Sequence, residues 1–498
     1  TQLAAGQLGT GQLGTGQLGT GTVTLRGSLA RSSLQLAVVP RLGALERYAW
    51  VSDALRTLPG SGIVYVLTVA ESERVAAFLT EQGHDVAAYS GQTENRTELE
   101  DRLRANRVKA LIATFAFGMG YDKPDLAFCL HLGSPASPVA YDQQVGRAGR
   151  ALDDARAVLV PAESDERIWQ YFATAGIPDE RQVEQILDVV RDGPQSLPAL
   201  EAATGIRRGR LEATLKILAV DEAVERTSGG WVGTGRPWSF DEAKWAALRR
   251  VRADEADLMR RYAAGAGCLM QFLQQALDDP DPHPCGRCSV CTGELPPPGP
   301  KPRPDTVEQA RRFFRGLDVV VEARKQWPSG VPGRKGRITG LAEGRALAFA
   351  DDPAWADELA ALGRGDGPAS EAVRQGLVEV LRRWSRSWDR PVAVVPMPSR
   401  RPGTLIRSAA AHVAEVGRLP LVEALRVTGP APSIDTASSV RVKDLLHTTH
   451  LVPGTRFDGP VLLVDDTVRS RWTQTVAASL LVEAGATSVL PLAVHRLP

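Results

Sequence analysis

The chain has 498 residues, of which 43% are hydrophobic and 23% charged, and its net charge is +1 at pH 7. This length is enough for about three domains of ordinary globular composition. A charge so close to zero excludes a protein that attracts polyanions over its whole surface, so any such contact must be local. The sequence shows no apolar stretch long enough for a membrane span and no secretory signal pattern, and we expect a cytoplasmic protein.

The first 21 residues contain the pentapeptide GQLGT three times in tandem. A segment so rich in glycine cannot bury enough apolar surface to fold, and we interpret residues 1–21 as a low-complexity tail. Folded sequence is expected to begin near Val23.

Residues 22–175 alternate between strand and helix patterns. The predicted order is strand 63–67, helix 72–82, strand 86–89, helix 97–105, strand 110–113 and strand 126–132. Such alternation is typical of an α/β domain with a doubly wound parallel sheet. The polar residues Thr68 and Thr114 directly follow two of these strands.

The stretch at 111–150, LIATFAFGMGYDKPDLAFCLHLGSPASPVAYDQQVGRAGR, organises this region. A glycine-rich turn with Gly118 and Gly120 follows the strand at 110–113, and Asp122 comes shortly after it. The second strand then leads through a proline-containing loop into a short predicted helix.

That helix is predicted to carry Gln143, Arg147 and Arg150. The two arginines are three residues apart, so we expect them on one helical face, with small residues leaving space around them. Two planar guanidiniums in such a setting suit a phosphate group. Taken alone, the same spacing is also typical of a solvated basic face.

The wording ATFAFGMGYDKPD followed by QQVGRAGR resembles motifs V and VI of superfamily-2 helicases, and AFGMG-x-x-KP resembles the RecQ family of DNA helicases in particular. In that family this stretch lies in the second of two RecA-like domains and faces an ATP held between them. The resemblance implies that both arginines approach the triphosphate, with Arg150 preferred as the arginine finger on the γ-phosphate. Such a finger contributes about 10³–10⁵ in rate in related NTPases. The other nucleotide-binding residues that the resemblance implies are Gly118, Gly120, Asp122 and Gln143.

Other parts of the domain agree with this resemblance or depart from it. The segment TLRGSLARSSLQLAVVP, with Arg31, resembles the one by which RecQ helicases enter their second motor domain. Thr68 matches a position that the family uses on the DNA backbone, and Thr114 is predicted to contact DNA as well. Gln144–Val145 stands where the family usually has Glu followed by Thr or Ser.

A phosphate-binding loop of the form GxxxxGK[ST] does not occur in the sequence. The string DEAD does occur at 254–257, but its flanks are those of a charged amphipathic helix, so we interpret it as coincidence. The chain therefore resembles a helicase without its first motor domain.

Residues 176–238 are predicted to form a winged helix, because two helical patterns and a glycine-rich hairpin follow one another. Three arginines at the start of the second helix are the candidate DNA contacts, namely Arg207, Arg208 and Arg210. A small helical packing domain with a solvated basic turn is the alternative. In RecQ proteins the winged helix usually follows the zinc site, whereas here it precedes it.

Residues 239–294 are predicted to form a zinc-binding subdomain. Four cysteines with the spacing C-x16-C-x2-C-x2-C match a closed tetrahedral Zn²⁺ site, and this spacing also matches the RecQ zinc subdomain: Cys268, Cys285, Cys288 and Cys291. His283 is a possible competing ligand. Cys129 lies within a strand pattern and is interpreted as a buried hydrophobic residue.

A stiff proline linker at 295–305 precedes a second α/β domain at 306–498. An apolar strand, two acids and a hydroxyl-rich turn before a helix resemble the PRPP signature of type I phosphoribosyltransferases. The resemblance implies that Asp465 and Asp466 hold ribose hydroxyls, and that the 5′-phosphate is held by Thr467, Ser470 and Thr473. The family's turn has glycine where this chain has Arg471, which restricts close backbone approach. A fold kept as a binding or packing module is the alternative.

The leading hypothesis is a RecQ-like 3′–5′ DNA helicase that acts in repair or recombination, uses ATP with Mg²⁺, binds Zn²⁺ and is associated with the bacterial nucleoid. Its expected partners are single-stranded or branched DNA and a polypeptide that supplies the first RecA-like domain. The alternatives are a nucleic-acid-binding module without ATPase activity and a PRPP-binding protein or phosphoribosyltransferase.

Overall fold

The structure is a computed structural model, and it describes residues 29–114, 121–163, 165–174, 176–364, 367–399, 404–431, 433 and 436–497. Within these ranges the chain forms two compact units. The first contains residues up to 175 together with 241–314, and the second contains 176–240 and 315–498. Gly118 and Gly120 lie outside the described residues. Among the described helices, none has the length and apolar character needed to cross a bilayer.

The first unit is built on a six-stranded sheet in which all neighbouring strands are parallel. Its strands are β1 Leu34–Val38, β2 Gly62–Val66, β3 Val86–Tyr89, β4 Ala110–Ala113, β5 Phe128–Leu132 and β6 Ala155–Val160, in the spatial order β1-β6-β5-β2-β4-β3. Strands β2, β4 and β5 are buried at every position, as parallel strands covered on both faces must be. The predicted RecA-like parallel sheet is therefore confirmed.

Within the described ranges, the first unit has five helices among its residues up to 175 and four more after residue 241, and residues 176–240 between them belong to the second unit. They are α1 Ala44–Thr57, α2 Val69–Glu81, α3 Arg96–Arg104, α4 Pro138–Val145 and α5 Asp165–Thr174, and then α9 Glu242–Ala263, α10 Leu269–Ala276, α11 Ser289–Thr292 and α12 Pro304–Arg315. Helices α6 to α8 belong to the second unit.

The cysteine-containing part of the first unit shares one core with the sheet. The ring of Tyr141 on α4 lies 5.0 Å from that of Tyr262 on α9, and Tyr262 lies 5.8 Å from Phe272 on α10. Cys288 is fully buried in the same apolar cluster. The helices around the cysteines are thus packed on the sheet although 65 residues, 176–240, separate the two parts in the chain.

The proline-rich segment is also packed on the first unit. The indole Nε1 of Trp50 on α1 donates to the carbonyl of Gly299 at 2.8 Å. Asp53, which is only 4% exposed, accepts hydrogen bonds from the backbone N of Arg303 and from Thr306 Oγ1, both at 2.8 Å. The residues predicted as a linker at 295–305 therefore lie against α1 over part of their length.

The smaller part of the second unit, residues 176–240, contains three helices followed by an antiparallel hairpin. These elements are α6 Glu180–Val190, α7 Leu197–Thr204, α8 Arg208–Val220, β7 Val224–Thr227 and β8 Gly230–Gly233. Apolar residues from all three helices form a cluster of their own. This is the order of elements that the winged-helix prediction requires.

The larger part of the second unit is built on a five-stranded sheet in the order β11-β14-β15-β10-β9, in which only β9 is antiparallel. Its strands, together with the hairpin β12–β13, are β9 Val319–Val321, β10 Gly344–Phe349, β11 Ala393–Pro396, β12 Leu425–Val427, β13 Thr449–Leu451, β14 Val461–Val468 and β15 Val489–Arg496. The helices are α13 Ala356–Arg364, α14 Glu371–Trp384, α15 Thr404–Gly417, α16 Ser438–Thr448 and α17 Trp472–Glu483. A second α/β sheet is present as predicted.

Candidate functional site

The two arginines of the predicted phosphate site lie in a turn and not on a helix. Helix α4 ends at Val145, and Gly149 adopts a left-handed conformation with φ of 69° that interrupts any continuation. Arg147 and Arg150 follow the helix end, so the prediction that they share one helical face is wrong. Gln143 is on α4 itself and is exposed.

Each arginine has a partner in the loop that follows the glycine-rich turn. Arg147 Nη1 donates to the backbone carbonyl of Tyr121 at 2.9 Å. Arg150 Nη1 forms an ion pair with Asp122 Oδ1 at 2.7 Å, and both side chains are exposed, at 41% and 60% respectively. The structure thus brings Asp122, Arg147 and Arg150 together.

Backbone hydrogen bonds fix the two loops to one another. The amide of Gly149 donates to the carbonyl of Leu126 at 3.0 Å, and that of Ala151 donates to Pro124 at 2.8 Å. The distance between the arginine turn and the Asp122 loop is therefore set by the main chain. The side chain of Arg150 can therefore leave Asp122 for another partner without a movement of the loops.

A buried lysine anchors the same loop. The side chain of Lys123 is 0% exposed, and its Nζ donates to Asp125 Oδ1 at 2.6 Å. The hydrogen bond from Lys123 is the main reason that the pKa of Asp125 lies below its usual value. Because a buried ammonium is costly without a partner, this pair constrains the backbone next to Asp122. The sequence analysis missed it, although the string DKPD contains both residues.

A neutral histidine lies behind the arginine turn. His131 on β5 is 1% exposed, its Nε2 is 2.8 Å from Gln144 Oε1, and its ring stacks on Tyr65 at 4.8 Å. Burial lowers the pKa of His131 to about 3. Gln144, which stands where the RecQ pattern usually has Glu, is thus a neutral partner for a neutral ring. No sequence pattern had singled out His131.

The two threonines predicted to contact DNA have different surroundings. Thr68 is exposed and caps α2, since its Oγ1 accepts from the backbone N of Glu71 at 3.1 Å. Its hydroxyl hydrogen remains available to a phosphate. Thr114 is 8% exposed and follows β4, where its amide donates to the carbonyl of Tyr89 at 3.3 Å.

Four cysteine sulfurs converge in the first unit. The Sγ atoms of the predicted zinc ligands all lie within 4.8 Å of one another. Burial raises the pKa of the Cys268 thiol, but the hydrogen bonds that its sulfur accepts outweigh this and bring the pKa to about 7. Burial raises the pKa of the thiols of Cys285 and Cys291, the latter to about 12. Four cysteine sulfurs this close together fit a tetrahedral Zn²⁺ site, which would bind them as thiolates. His283 makes a separate hydrogen bond, between Nδ1 and the carbonyl of Asp281 at 2.9 Å.

The fifth cysteine, Cys129, is not part of the four-cysteine group. Cys129 on β5 is fully buried, and burial raises the pKa of its thiol to about 12. A thiol with this pKa is a poor nucleophile, and its environment is that of a small hydrophobic side chain.

The winged-helix arginines lie at the start of α8. Arg208 is exposed and pairs with Glu212 at 2.9 Å, while Arg210 is exposed and its Nη2 donates to the carbonyl of Ile177 at 3.2 Å. Arg207 is half-buried and occupies the N-cap position. Two of the three predicted contacts are thus accessible at one helix end.

The acidic pair of the second unit lies within a strand. Strand β14 continues to Val468, so Asp465, Asp466 and Thr467 are not in a turn. Asp465 is 6% exposed, and burial together with the charge of Asp466 raises its pKa. Its Oδ1 accepts from the backbone N of Asp466 at 2.9 Å. A buried carboxyl with a raised pKa fits a ribose contact poorly.

The turn after β14 is occupied by the chain's own side chains. Arg324 donates to the carbonyl of Ser470 through Nε at 3.1 Å and Nη2 at 2.9 Å. Arg471 has a φ of 68°, and its Nη1 donates to the carbonyl of Glu322 at 3.2 Å. Thr473 lies in the first turn of α17. The open cradle that glycine provides for a phosphate is not formed by these residues.

Comparison with known proteins identifies the first unit. Residues 46–152 match the helicase conserved C-terminal domain, so the parallel sheet and the arginine turn define a helicase C-terminal domain. The ATP-dependent DNA helicase RecQ of Synechocystis sp. is 28% identical over 255 residues, which cover 48% of this chain and 50% of the relative. The mouse ATP-dependent DNA helicase Q1 is 38% identical over 142 residues, 27% of this chain and 21% of the relative. The first unit is thus similar to the C-terminal part of RecQ-family helicases.

The chain spans half the length of the cyanobacterial relative and a fifth of the mouse relative. A DEAD-box protein structure from Methanococcus jannaschii matches 29% of this chain and 39% of its own, with 21% identity and a TM-score of 0.25. That score is too low to bear on the fold, which rests on the strand order described above.

Proposed function

We propose that the chain forms the second motor domain and accessory regions of an ATP-dependent 3′–5′ DNA helicase of RecQ type that acts in repair or recombination. The observation that carries this proposal is the pair of Arg150 and Asp122 at the rim of a helicase C-terminal domain. The guanidinium of Arg150 also donates from Nε to the carbonyl of Gly146 at 3.4 Å, but its charged partner is an exposed carboxylate, which it can exchange for a phosphate at little cost.

The arrangement suggests a separate role toward ATP for Arg150, Arg147 and Gln143. ATP with Mg²⁺ would supply the phosphoanhydride, bound against a first RecA-like domain provided by a partner polypeptide or by preceding sequence. Arg150 would leave Asp122 and meet the charge that develops on the γ-phosphate, which contributes about 10³–10⁵ in rate in related enzymes. Arg147, bonded to Tyr121, would keep the turn in place. Gln143 on the exposed face of α4 remains a predicted nucleotide contact.

DNA would contact the first unit through the capping hydroxyl of Thr68 and the second unit through Arg208 and Arg210. The Thr68 hydroxyl projects from a helix N-terminus, a position suited to a phosphate. The arginines of α8 would add contacts to single-stranded or branched DNA. Thr114, which is buried, remains a predicted DNA contact.

The proposal is tested by fusing the first RecA-like domain of a RecQ relative ahead of Val23. We expect ATP hydrolysis by the fusion that increases with single-stranded DNA. Arg150→Ala should lower kcat by about 10³ or more and leave DNA affinity unchanged. Arg167→Ala, an exposed arginine on α5, is the matched control. Full activity of the Arg150→Ala fusion, or equal loss in both variants, would show that Arg150 is not the finger.

A nucleic-acid-binding module without ATPase activity is the second candidate, and the exposed Arg208 and Arg210 favour it. The same fusion distinguishes the two, because this candidate predicts DNA binding without hydrolysis. A PRPP-dependent activity is not favoured, since Arg471 and Trp472 occupy the turn that would hold the phosphate.

A further inference from the structure

A loop of the second unit concentrates positive charge. Between β9 and β10, residues 323–342 contain no Asp or Glu, yet they include five Lys or Arg residues. We call residues 324–337 the basic loop, and its cations are Arg324, Lys325, Arg334, Lys335 and Arg337. The whole chain has a net charge of only +1, so this is a local feature.

The basic loop has a defined shape. The amide of Trp327 donates to the carbonyl of Gly336 at 3.0 Å, and that of Ile338 donates to Lys325 at 2.9 Å, so the two arms pair like a short hairpin. Val331 near its tip is 2% exposed and packs in a cluster with Trp472. Because the backbone is already ordered, binding through this loop requires little further ordering.

Two of the five cations anchor the loop. Arg324 donates twice to the carbonyl of Ser470 and covers the ring of Trp472 at 4.7 Å. Arg334 pairs with Glu483 and lies 5.5 Å from the ring centroid of Trp327. These two side chains hold the loop against α17 and the turn before it.

The remaining cations face solvent. Lys325, Lys335 and Arg337 are exposed, and in the part of the chain that the structure describes no carboxylate forms an ion pair with them. Arg469, next to the Ser470 that Arg324 contacts, is likewise exposed and without an ion pair among the described residues. We call these four side chains the basic surface.

A further cation, Arg471, lies near Arg324. Burial, and then the positive charge of Arg471, lower the pKa of Arg324, while Arg471 itself pairs with Glu322 at 3.0 Å. Gly333 and Gly336 have φ of 70° and 71°, and the space where a Cβ would lie is open at both. A phosphate can therefore approach the loop backbone without a steric barrier.

We propose that the basic surface binds the phosphate backbone of DNA and gives this protein a strand-holding site on its C-terminal domain. The inference rests on the proposed helicase function, because that function brings DNA to the chain. Exposed lysines and arginines spread over an ordered loop suit a repeating polyanion, which they bind without reading its sequence.

The test is DNA binding by the full chain, measured by fluorescence anisotropy with a labelled forked DNA at several salt concentrations. The variant combines Lys325→Ala, Lys335→Ala and Arg337→Ala. The control combines Arg382→Ala, Arg386→Ala and Arg390→Ala, which removes the same charge from exposed positions at the end of α14. Melting temperatures establish that both variants fold.

We expect the loop variant to bind at least about tenfold more weakly, and the slope of log K against log salt to fall in magnitude by about 2–3, which is close to 0.9 for each lost phosphate contact. The control variant should change the DNA affinity by less than about twofold and should leave the salt slope unchanged. Equal effects in the two variants, or unchanged binding by the loop variant, would overturn the proposal.

Two further outcomes are distinguished by the same variants. If the loop variant loses affinity for vesicles with about 30% phosphatidylserine but keeps its DNA affinity, the surface binds membranes and the proposal is wrong. If the motor fusion hydrolyses no ATP while the loop variant still loses DNA binding, the proposed helicase function fails and the basic surface stands.

Discussion

Arg147 and Arg150 occur in one short motif but have different environments. Arg147 is half-buried and donates to a backbone carbonyl at 2.9 Å, whereas Arg150 is exposed, pairs with a carboxylate at 2.7 Å and makes only a long bond of 3.4 Å to the carbonyl of Gly146. A carbonyl partner fixes a side chain without competing charge, and an exposed ion pair is weak and exchanges readily. We therefore propose Arg147 as the positioning residue and Arg150 as the residue that meets a phosphate.

His131 connects the arginine turn with the cysteine-containing helices. Its ring stacks on Tyr65 and meets Tyr141 edge-on at 4.8 Å, and Tyr141 contacts Tyr262 on α9. The ring must stay neutral, because no carboxylate is bonded to it among the described residues and burial lowers its pKa to about 3.

Acidification should destabilise the first unit through His131. The folded pKa of about 3 lies below the unfolded value of about 6.5, so the stabilisation is complete above pH 6.5 and is lost as the pH falls toward 3. Between pH 6.5 and 5 the wild type should lose about 1–2 kcal/mol more than a His131→Asn variant. Urea unfolding at several pH values measures both.

Carboxylates titrate equally in the wild type and in His131→Asn, so the difference between their free energies of unfolding reports on His131 alone. His84→Asn is a second control, since His84 is half-buried and its pKa is lowered less strongly. Parallel stability curves for wild type and His131→Asn from pH 7.5 to 5 would contradict a buried neutral histidine.

At the scale of elements, the cysteine-containing region contacts β1 and the segment before it; we call its residues 285–291, CGRCSVC, the knuckle. The amide of Leu29 donates to Asp279 Oδ2 at 2.7 Å, and the amide of Val38 donates to Ser289 Oγ at 3.1 Å. Arg287, within the knuckle, donates to the carbonyl of Arg31. These contacts join residues 279–289 to β1 and to the segment before it, and we expect them to depend on the shape that the four convergent cysteines give the knuckle.

Loss of the metal should therefore destabilise the whole first unit. Cys288 is fully buried in the shared core, so Cys288→Ser is expected to reduce bound zinc from one equivalent to well below one and to lower the melting temperature by several degrees. Metal analysis and thermal unfolding measure the two effects.

Cys129→Ala is the matched control, because Cys129 is equally buried but is not one of the four converging cysteines. It should retain one equivalent of zinc even if it lowers the melting temperature. A Cys288→Ser protein with full zinc content and unchanged melting would show that the four-cysteine site is wrong.

At the scale of the whole molecule, the chain order and the packing order differ. Residues 176–240, which contain the predicted winged helix, interrupt the first unit, and the segments on either side of them share one core. The proline-rich segment returns to α1 after the cysteines, where the buried carboxylate of Asp53 binds Arg303 and Thr306. The boundary between the two units lies at residues 314–315 and not within the predicted linker.

Removal of the Asp53 carboxylate should release this segment. Asp53→Ala deletes the acceptor of hydrogen bonds from Arg303 N, Arg303 Nε and Thr306 Oγ1, and should lower the free energy of unfolding by about 2–4 kcal/mol. Cleavage by endoproteinase Glu-C after Glu294 and Glu308, the exposed glutamates on either side of this segment, should become faster by an order of magnitude or more.

Asp85→Ala serves as the control, since Asp85 is exposed and forms only a surface ion pair with Arg102. That variant should be cleaved at the wild-type rate. Unchanged cleavage of Asp53→Ala would mean that the segment is held mainly by the indole of Trp50 and by the apolar side of α12.

Local patterns determined much of this protein. Apolar runs predicted β3 and β4 without error. For β4 the reason is that a strand buried on both faces carries a continuous apolar sequence, whereas β3 is a half-buried edge strand that was found from its short apolar run. The cysteine spacing predicted the convergent sulfurs, since a short knuckle leaves its ligands little choice of position. Asp122, Arg147 and Arg150 were identified by the resemblance of the sequence to helicase motifs, and the structure places them together.

Tertiary structure decided the features that depend on residues distant in the chain. The burial of Lys123 and the neutral state of His131 follow from what packs over them, which no local pattern encodes. The bond between Asp53 and Arg303 joins residues 250 positions apart. The basic loop could be counted in the sequence, but its ordered shape depends on Trp472, more than 130 residues later. Short-range propensity fixes elements, whereas burial and charge pairing are decided only when those elements meet.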